Sequence, residues 1–153
     1  MDEEGKNKMT DLVKKAYEFA KAKHAGQKYA EHDYFDYHIC GVVNMLDDSV
    51  SDECKVIAYL HDTFEDTDTT YPELAQAFGS IIARAIAVLT KSNDESYEQY
   101  IIDILNDRDD EVIAVKLADL NFNIHQPTDK QIVRYEKERI EKYKLARYIL
   151  ENC

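Results

Sequence analysis

Glycine (4 residues), proline (2) and cysteine (3) are all scarce in this chain of 153 residues. So little glycine and proline argues against a disordered chain or a long linker. Three cysteines are an odd number without a CxxC spacing, which fits a reducing compartment better than a disulfide framework. The sequence therefore predicts one ordered domain over residues 1–153, with a frayed start at residues 1–9.

The chain also lacks long apolar runs and an excess of positive charge. No run approaches the length of a membrane span, and the start is not basic and then apolar as in a secretion signal, so we expect a cytoplasmic protein without a membrane partner. Lysine and arginine number 19 against 31 acidic residues, a net charge of -12. This field repels long nucleic acids, but a metal ion and a few local cations can still admit a small phosphorylated ligand.

Apolar residues recur at helical spacing along most of the chain. The first predicted helix covers residues 10–25, and a polar, aromatic loop without periodicity covers residues 27–36. Further helices are predicted over residues 37–46, 52–65, 72–79, 80–89, 97–105, 110–120 and 129–150. A strand competes only in the β-branched VIAV run of the seventh helix. The pattern predicts a compact all-α fold of about eight helices.

The segment HDTFED, residues 61–66, places one imidazole and three carboxylates at the end of an otherwise apolar helix. His61 and Glu65 are four positions apart, as are Asp62 and Asp66, so on a helix they project into one neighbourhood. Such a set suits a divalent first-row metal, and a carboxylate beside the ion can handle protons. The alternative is that a lone His-Asp pair only ends and caps a surface helix.

Two more polar residues lie next to apolar stretches. His38 stands among core-like residues, and Asp119 ends the segment VIAVKLAD. A charge beside a core-facing stripe is costly unless it is paired or bound to a metal. Taken alone, His38 would be explained as a satisfied core histidine and Asp119 as a helix cap.

Taken together, these residues follow the order His, His-Asp, Asp of the HD superfamily, with 23 positions between the histidines and 57 between the aspartates. Over residues 11–150 the chain resembles the hydrolase domain of the RelA/SpoT-type alarmone enzymes, especially its short stand-alone versions. The matching segments are KHAGQ, FDYHI, AYLHDTFEDTDTT, FGSIIARAIAVLTK, SYEQYI, VKLADLNFNI and EKYKLARYIL.

This resemblance implies an activity and a set of roles. It implies that Mn²⁺ is the cofactor and that the guanosine tetra- and pentaphosphates lose their 3′-pyrophosphate. Glu65 and Asp66 would orient or deprotonate the attacking water, and Asn123 would contact the nucleotide. No synthetase segment follows, so a hydrolase alone is expected. The metal ligands implied are His38, His61, Asp62 and Asp119.

The chain departs from the family pattern in the loop. Tyr29 and Ala30 replace the usual Arg-Lys pair, and Leu120 and Phe122 replace a common arginine and histidine. An aromatic ring such as that of Tyr29 can still stack on a base. The other candidate substrate contacts are Lys28, Lys91 and Tyr100.

These departures leave the substrate more open than the metal chemistry. The function predicted is a metal-dependent phosphohydrolase of a small nucleotide, with guanosine tetraphosphate (ppGpp) as the first candidate. A phosphohydrolase of another nucleotide or of a phosphorylated dinucleotide is one alternative. A catalytically silent metal or nucleotide sensor is another, and the acidic pair Glu65 and Asp66 argues against it, because a binder does not need them.

Overall fold

A computed structural model describes residues 9–125 and 133–153 of the chain, the latter with side chains from residue 137. The predicted frayed segment, apart from Met9, and the predicted start of the last helix at residue 129 lie outside these residues.

The described residues form a helical protein, and the predicted all-α fold is confirmed. Eight of its α-helices have six or more residues, as expected, and a ninth, α4, is a single turn. A π-helix, Phe35–Ile39, runs directly into α2. The α-helices are α1 (Asp11–Lys23), α2 (Cys40–Met45), α3 (Asp52–Leu60), α4 (Thr63–Asp66), α5 (Tyr71–Phe78), α6 (Ser80–Val88), α7 (Tyr97–Asp107), α8 (Asp110–His125) and α9 (Val133–Asn152).

Four helices begin where a hydroxyl side chain satisfies an otherwise unpaired backbone N–H group. In each case the oxygen accepts a hydrogen bond from the N–H three residues further on, which fixes the first turn. Gly79 separates α5 from α6 at φ 94°, a conformation that suits glycine. The capping residues are Thr10, Ser51, Thr70 and Ser96.

The core forms around α3. Six of its nine residues are buried, and it packs against α1, α2, α6 and α8. The VIAV run lies within α8 and is helical, so the strand alternative was wrong; Val112 and Val115 share the buried face of that helix. None of the described helices is both long enough and apolar enough to cross a membrane. Because α3 ends inside the protein, the residues that follow Leu60 enter the interior.

The predicted loop contains a short antiparallel hairpin of β1 (Lys28–Tyr29) and β2 (His32–Asp33). Two-residue strands are too short to leave a periodic pattern, so they could not be predicted from apolar spacing. Ala30 lies in the turn at φ 53°. The hairpin leads into the π-helix that carries His38, and it therefore places a row of aromatic side chains beside that residue.

Helix α8 extends to His125, five residues beyond the predicted end, and its extra turn packs against α2. The ring of Phe122 lies edge-on to His38, with ring centroids 5.2 Å apart. It also covers Gly41, where an added Cβ would lie within 3.0 Å of three ring carbons. Glycine at position 41 therefore permits the close approach of α2 and α8 that holds His38 in place.

We predict that Gly41→Ala lowers the free energy of unfolding by about 1–3 kcal/mol, because the methyl group overpacks the contact with Phe122. Urea unfolding measures the change. Adding Phe122→Leu to the same chain should recover part of the loss. Asn44→Ala, on the exposed side of α2, is the control and should change stability by about 0.5 kcal/mol or less. A Gly41→Ala variant as stable as the parent would contradict this packing argument.

Candidate metal centre and active-site pocket

His61 and Asp62 lie at a break in the helical structure. His61 is the C-cap of α3, and Asp62, at φ −101° and ψ 4°, precedes α4. The predicted single helix over residues 52–65 is therefore two helices. Adjacent side chains on a continuous helix diverge by about 100°. The break lets both of these side chains reach the same point in the interior.

The π-helix and α8 bring His38 and Asp119 to that same point. Nε2 of His38 lies 3.3 Å from Oδ2 of Asp62 and 3.2 Å from Oδ1 of Asp119. Nε2 of His61 lies 3.2 Å and 3.6 Å from the same two oxygens. All four side chains are at most 14% exposed. Two imidazoles and two carboxylates from three parts of the chain thus form one buried cluster, which we call the four-residue cluster.

The arrangement of donor atoms fits a divalent metal. Nδ1 of His61 lies 2.7 Å from the carbonyl oxygen of Ala58, which can only accept, so Nδ1 carries the proton and Nε2 keeps its lone pair. That Nε2 is buried and makes no well-aligned hydrogen bond, although Oδ2 of Asp62 lies 3.2 Å away. Atoms about 2.1 Å from one ion lie roughly 3.0–3.5 Å from each other, close to the separations found here. His38, His61 and Asp62 already offer ligand atoms within 4.8 Å of one another, and Asp119 extends the set.

The charges of the four residues in the cluster shift one another's pKa values. Burial opposes protonation of His38, but Asp119 and Asp62 outweigh it and raise its pKa to about 9. The pKa of His61 is raised for the same reasons. Burial disfavours ionised Asp119, yet Lys116 and the two histidines hold its pKa well below the ordinary range. The carboxylates of Asp62 and Asp119 are therefore stabilised by positive charge inside the cluster. A divalent cation can supply that charge in place of the imidazole protons.

Glu65 and Asp66 lie in α4, beside the cluster. Both residues are exposed at the surface, but partial burial of their carboxyl groups and the negative charge of Asp62 raise both pKa values. The hydroxyl of Tyr34 lies 2.5 Å from Oδ2 of Asp62 and 3.1 Å from Oδ2 of Asp66. Gln27 donates from Nε2 to the carbonyl oxygen of Asp66 at 2.7 Å. The residues on either side of the hairpin thus hold Asp66 relative to the cluster.

A cavity of about 270 Å³ opens over the cluster. The five other predicted site residues in its wall are Glu65, Asp66, Lys91, Tyr100 and Asn123. Its wall also contains residues that the sequence analysis did not select. These are Tyr34, Leu89, Lys116 and Tyr143. Tyr97, which the segment SYEQYI offers beside Tyr100 as a candidate to line the pocket, also lies in the wall.

The predicted substrate contacts have different surroundings. Asn123 donates to Oδ1 of Asp119 at 3.3 Å, and Lys91 donates to the carbonyl oxygen of Ser92 at 3.0 Å. The hydroxyl of Tyr100 is buried and donates to the carbonyl oxygen of Leu89. Tyr29 lies outside the cavity wall, but its ring is parallel to that of His38, with centroids 6.1 Å apart. Lys28, which precedes Tyr29 in β1, is exposed. Neighbouring side chains in a strand point to opposite faces, so Lys28 and Tyr29 do not share a face of the hairpin.

Two of the unselected residues contact the cluster directly. Lys116 is buried, and its Nζ lies 3.1 Å from Oδ2 of Asp119. A lysine inside the apolar run VIAVKLA, three positions before Asp119, needs a partner, so this signal was available in the sequence. Tyr34 left no such signal, because the hairpin and not a helical spacing brings it to Asp62.

The chain is similar to bacterial alarmone enzymes along most of its length. It is 38% identical over 121 residues to guanosine-3′,5′-bis(diphosphate) 3′-pyrophosphohydrolase of Aquifex aeolicus, covering 73% of this chain and 17% of that protein. It is 36% identical over 125 residues to GTP pyrophosphokinase rsh of Brucella ovis, covering 74% of this chain and 16% of that protein. The chain therefore spans about a sixth of these relatives. No protein-family model matches it.

A shorter relative is matched over most of its length. The chain is 29% identical over 144 residues to guanosine-3′,5′-bis(diphosphate) 3′-pyrophosphohydrolase MESH1 of Danio rerio, covering 88% of this chain and 79% of that protein. A solved structure described as a metazoan ortholog of SpoT that hydrolyses ppGpp matches with a TM-score of 0.67 at 18% identity. That match covers 93% of this chain and 94% of the other, and it shows that the two share a fold.

We predict that Tyr34→Phe destabilises the metal-free protein by about 1.5–3 kcal/mol, the range for a lost hydrogen bond to a charged group. The hydroxyl keeps its proton, because burial and the charge of Asp62 raise its pKa, and it therefore acts as the donor. Chemical unfolding in the presence of a chelator measures the loss. Tyr71→Phe, at an exposed ring on α5, is the matched control. Equal stability of the Tyr34 variant and the parent would show that this hydroxyl does not support the cluster.

Proposed function

The chain belongs to the RelA/SpoT-like family of HD-type hydrolase domains, and we propose from this premise that it is a metal-dependent phosphohydrolase that removes the 3′-pyrophosphate of ppGpp. One observation carries the proposal. The four-residue cluster, with donor atoms 3.2–3.6 Å apart, opens into a cavity whose wall also contains Glu65 and Asp66. Metal ligands and proton-handling carboxylates thus meet in one pocket, as hydrolysis at phosphorus requires.

We assign the cofactor as one Mn²⁺ ion, held by the four-residue cluster. When bound, the ion supplies Lewis acidity to a phosphoryl oxygen and lowers the pKa of a water molecule. Mixed imidazole and carboxylate donors suit Mn²⁺ among other first-row metals. The Nδ1 hydrogen bond of His61 to Ala58 keeps its Nε2 directed into the cluster. The ligands are His38, His61, Asp62 and Asp119.

Glu65 and Asp66 have the role of aligning the attacking water and accepting its proton. Neither belongs to the four-residue cluster, and both border the cavity, so they can meet a water molecule beside the cluster. Tyr34 and Gln27 hold Asp66 in place through its carboxylate and its carbonyl oxygen. A carboxylate fixed in this way loses little freedom when it receives a proton from water.

The substrate contacts follow from the cavity wall. Asn123, next to Asp119, is assigned to the ribose or a phosphate, and Lys91 to a phosphate. Tyr100 shapes the wall with its ring, because its hydroxyl is already bonded to Leu89. The parallel stacking of Tyr29 on His38 supports a base-binding face close to the cluster. Lys28, the exposed neighbour of Tyr29 in β1, is assigned to the outer phosphates through its long, charged side chain.

The same hairpin favours a second candidate function, hydrolysis of another nucleotide or of a phosphorylated dinucleotide. An uncharged ring at Tyr29 and a methyl group at Ala30 offer no cation for a highly charged ligand. A panel of ppGpp, ordinary nucleoside triphosphates and a phosphorylated dinucleotide, assayed with Mn²⁺ and resolved by chromatography, separates the two. Release of guanosine diphosphate from ppGpp at the highest kcat/KM supports the first function; a higher kcat/KM for another compound supports the second.

The free cysteines support a location in the cytoplasm. Cys40, Cys54 and Cys153 all have free thiols in the structure. Unpaired thiols are typical of a reducing compartment. We therefore propose that the reaction takes place on a cytoplasmic nucleotide.

We predict that His61→Ala or Asp62→Ala reduces bound Mn²⁺ from about one ion per chain to none, because each change removes a ligand from the centre of the cluster. Metal analysis after dialysis against Mn²⁺ gives the occupancy. His32→Ala, which removes an exposed imidazole from the hairpin, should leave it unchanged. Full occupancy in the His61 and Asp62 variants would rule out the cluster as the metal site.

We predict that Glu65→Gln and Asp66→Asn retain Mn²⁺ but lose about 10²–10⁴-fold in kcat on ppGpp, the usual contribution of a general acid or base. Metal analysis and product chromatography on the same samples measure the two properties. Asp68→Asn removes a nearby exposed carboxylate from outside the cavity wall and is the control. A variant that hydrolyses ppGpp at the parent rate would show that its residue does not act on the water.

A further inference from the structure

A buried lysine lies directly against the four-residue cluster. Lys116 is 9% exposed and projects from α8, one turn before Asp119. Its ammonium group lies 5.1 Å from the ring centroid of Tyr100 and 5.9 Å from that of Tyr97. Burying an ammonium group is costly unless an anion or a π face compensates it. An apolar residue could occupy this position without the cost of burying an ammonium group, so a role of the charge itself is expected toward the groups that Lys116 contacts.

The two carboxylate oxygens of Asp119 face different groups: one faces the proposed metal position and the other faces Lys116. Oδ1 faces Nε2 of His38 at 3.2 Å and Nε2 of His61 at 3.6 Å, on the side where a metal ion would bind. Oδ2 faces Nζ of Lys116 at 3.1 Å. Asp119 is therefore held with one oxygen toward the proposed ion and the other toward a fixed ammonium group.

Two-metal phosphohydrolases place a second ion about 3.5–4 Å from the first, usually with a shared carboxylate. In this cavity the outer oxygen of the shared carboxylate is already occupied by an ammonium group. We propose that Lys116 is the built-in second cation of the site, so that one divalent ion and one lysine do the work of two ions. This inference rests on the proposed metal site and adds to it the number of ions and the residue that sets it.

The charges around the cavity favour this role. Four carboxylates border it, Asp62, Glu65, Asp66 and Asp119, and one divalent ion offsets only half of their formal charge. Lys116 supplies a further positive charge without an exchangeable ion. The other lysine of the described wall, Lys91, directs its ammonium group to the carbonyl oxygen of Ser92.

A residue that merely orients Asp119 would behave differently from a second cation. Loss of an orienting hydrogen bond weakens metal binding, whereas loss of a neighbouring positive charge strengthens it. In a buried site the repulsion between an ammonium group and a dication exceeds the effect of one hydrogen bond. The two roles therefore change the affinity for Mn²⁺ in opposite directions.

The test is a Mn²⁺ titration of the parent and of Lys116→Met. The electron paramagnetic resonance signal of the free ion measures how much Mn²⁺ remains unbound. Methionine keeps the length and packing of the side chain and removes its charge. We expect about one ion per parent chain, and in the variant at least tenfold tighter binding, with or without a second ion. Lys116→Arg, which keeps the charge, should bind like the parent. Lys142→Met, which removes an exposed ammonium group 4.4 Å from the ring centroid of Tyr97, is the matched control.

A second measurement needs neither catalysis nor a known substrate. If binding tightens, a fixed Mn²⁺ concentration should raise the Tm of Lys116→Met by more than it raises that of the parent. The metal-free melting curve of the variant also shows whether it is folded. Unchanged or weaker Mn²⁺ binding by folded Lys116→Met would overturn the inference and leave the metal site intact. Failure of the parent to bind Mn²⁺ would instead refute the proposed metal site.

Discussion

The arrangement of the helices depends on two buried carboxylates, those of Asp62 and Asp119, that lie side by side and require compensating positive charge. Asp62 and Asp119 each have an oxygen within 3.3 Å of His38, and the charge of a buried carboxylate is costly unless positive charge compensates it. Protonated histidines can supply that charge in the metal-free protein, as the raised pKa values of both imidazoles indicate. A divalent ion supplies it better, because it satisfies the oxygens and the unpartnered Nε2 of His61 together.

The fold meets this need by ending elements inside the protein. Helix α3 ends at buried Leu60, so the next two residues turn inward together. The π-helix brings in His38, and α8 passes the same point with Asp119. Gly41 allows the ring of Phe122 to close the remaining space. The acidic pair follows on α4, and Tyr34, directly after the hairpin, places its hydroxyl within 3.1 Å of a carboxylate oxygen in each half of the site. The proposed phosphohydrolysis depends on this convergence more than on any one residue.

The sequence predicted the helices well because their signals are local: apolar spacing, a hydroxyl cap and a glycine between two helices. The likeness to alarmone hydrolases could be recognised from the sequence, because the order His38, His61-Asp62, Asp119 and the segments around these residues are visible without a structure. It did not predict the break after Leu60, because His61 and Asp62 are compatible with a helix and only the packing of their surroundings ends it. Tyr34 depends on a hairpin too short to leave a pattern. Lys116 did leave one, as a charge within an apolar run.

We propose that the four-residue cluster binds a single divalent ion. Anomalous diffraction at the manganese edge, from crystals grown with Mn²⁺, shows where such an ion lies. We expect one anomalous peak, about 2.0–2.3 Å from Nε2 of both histidines and from an oxygen of Asp62 and of Asp119. A peak bound by Glu65 and Asp66, or no peak at the cluster when Mn²⁺ is in excess, would contradict the claim.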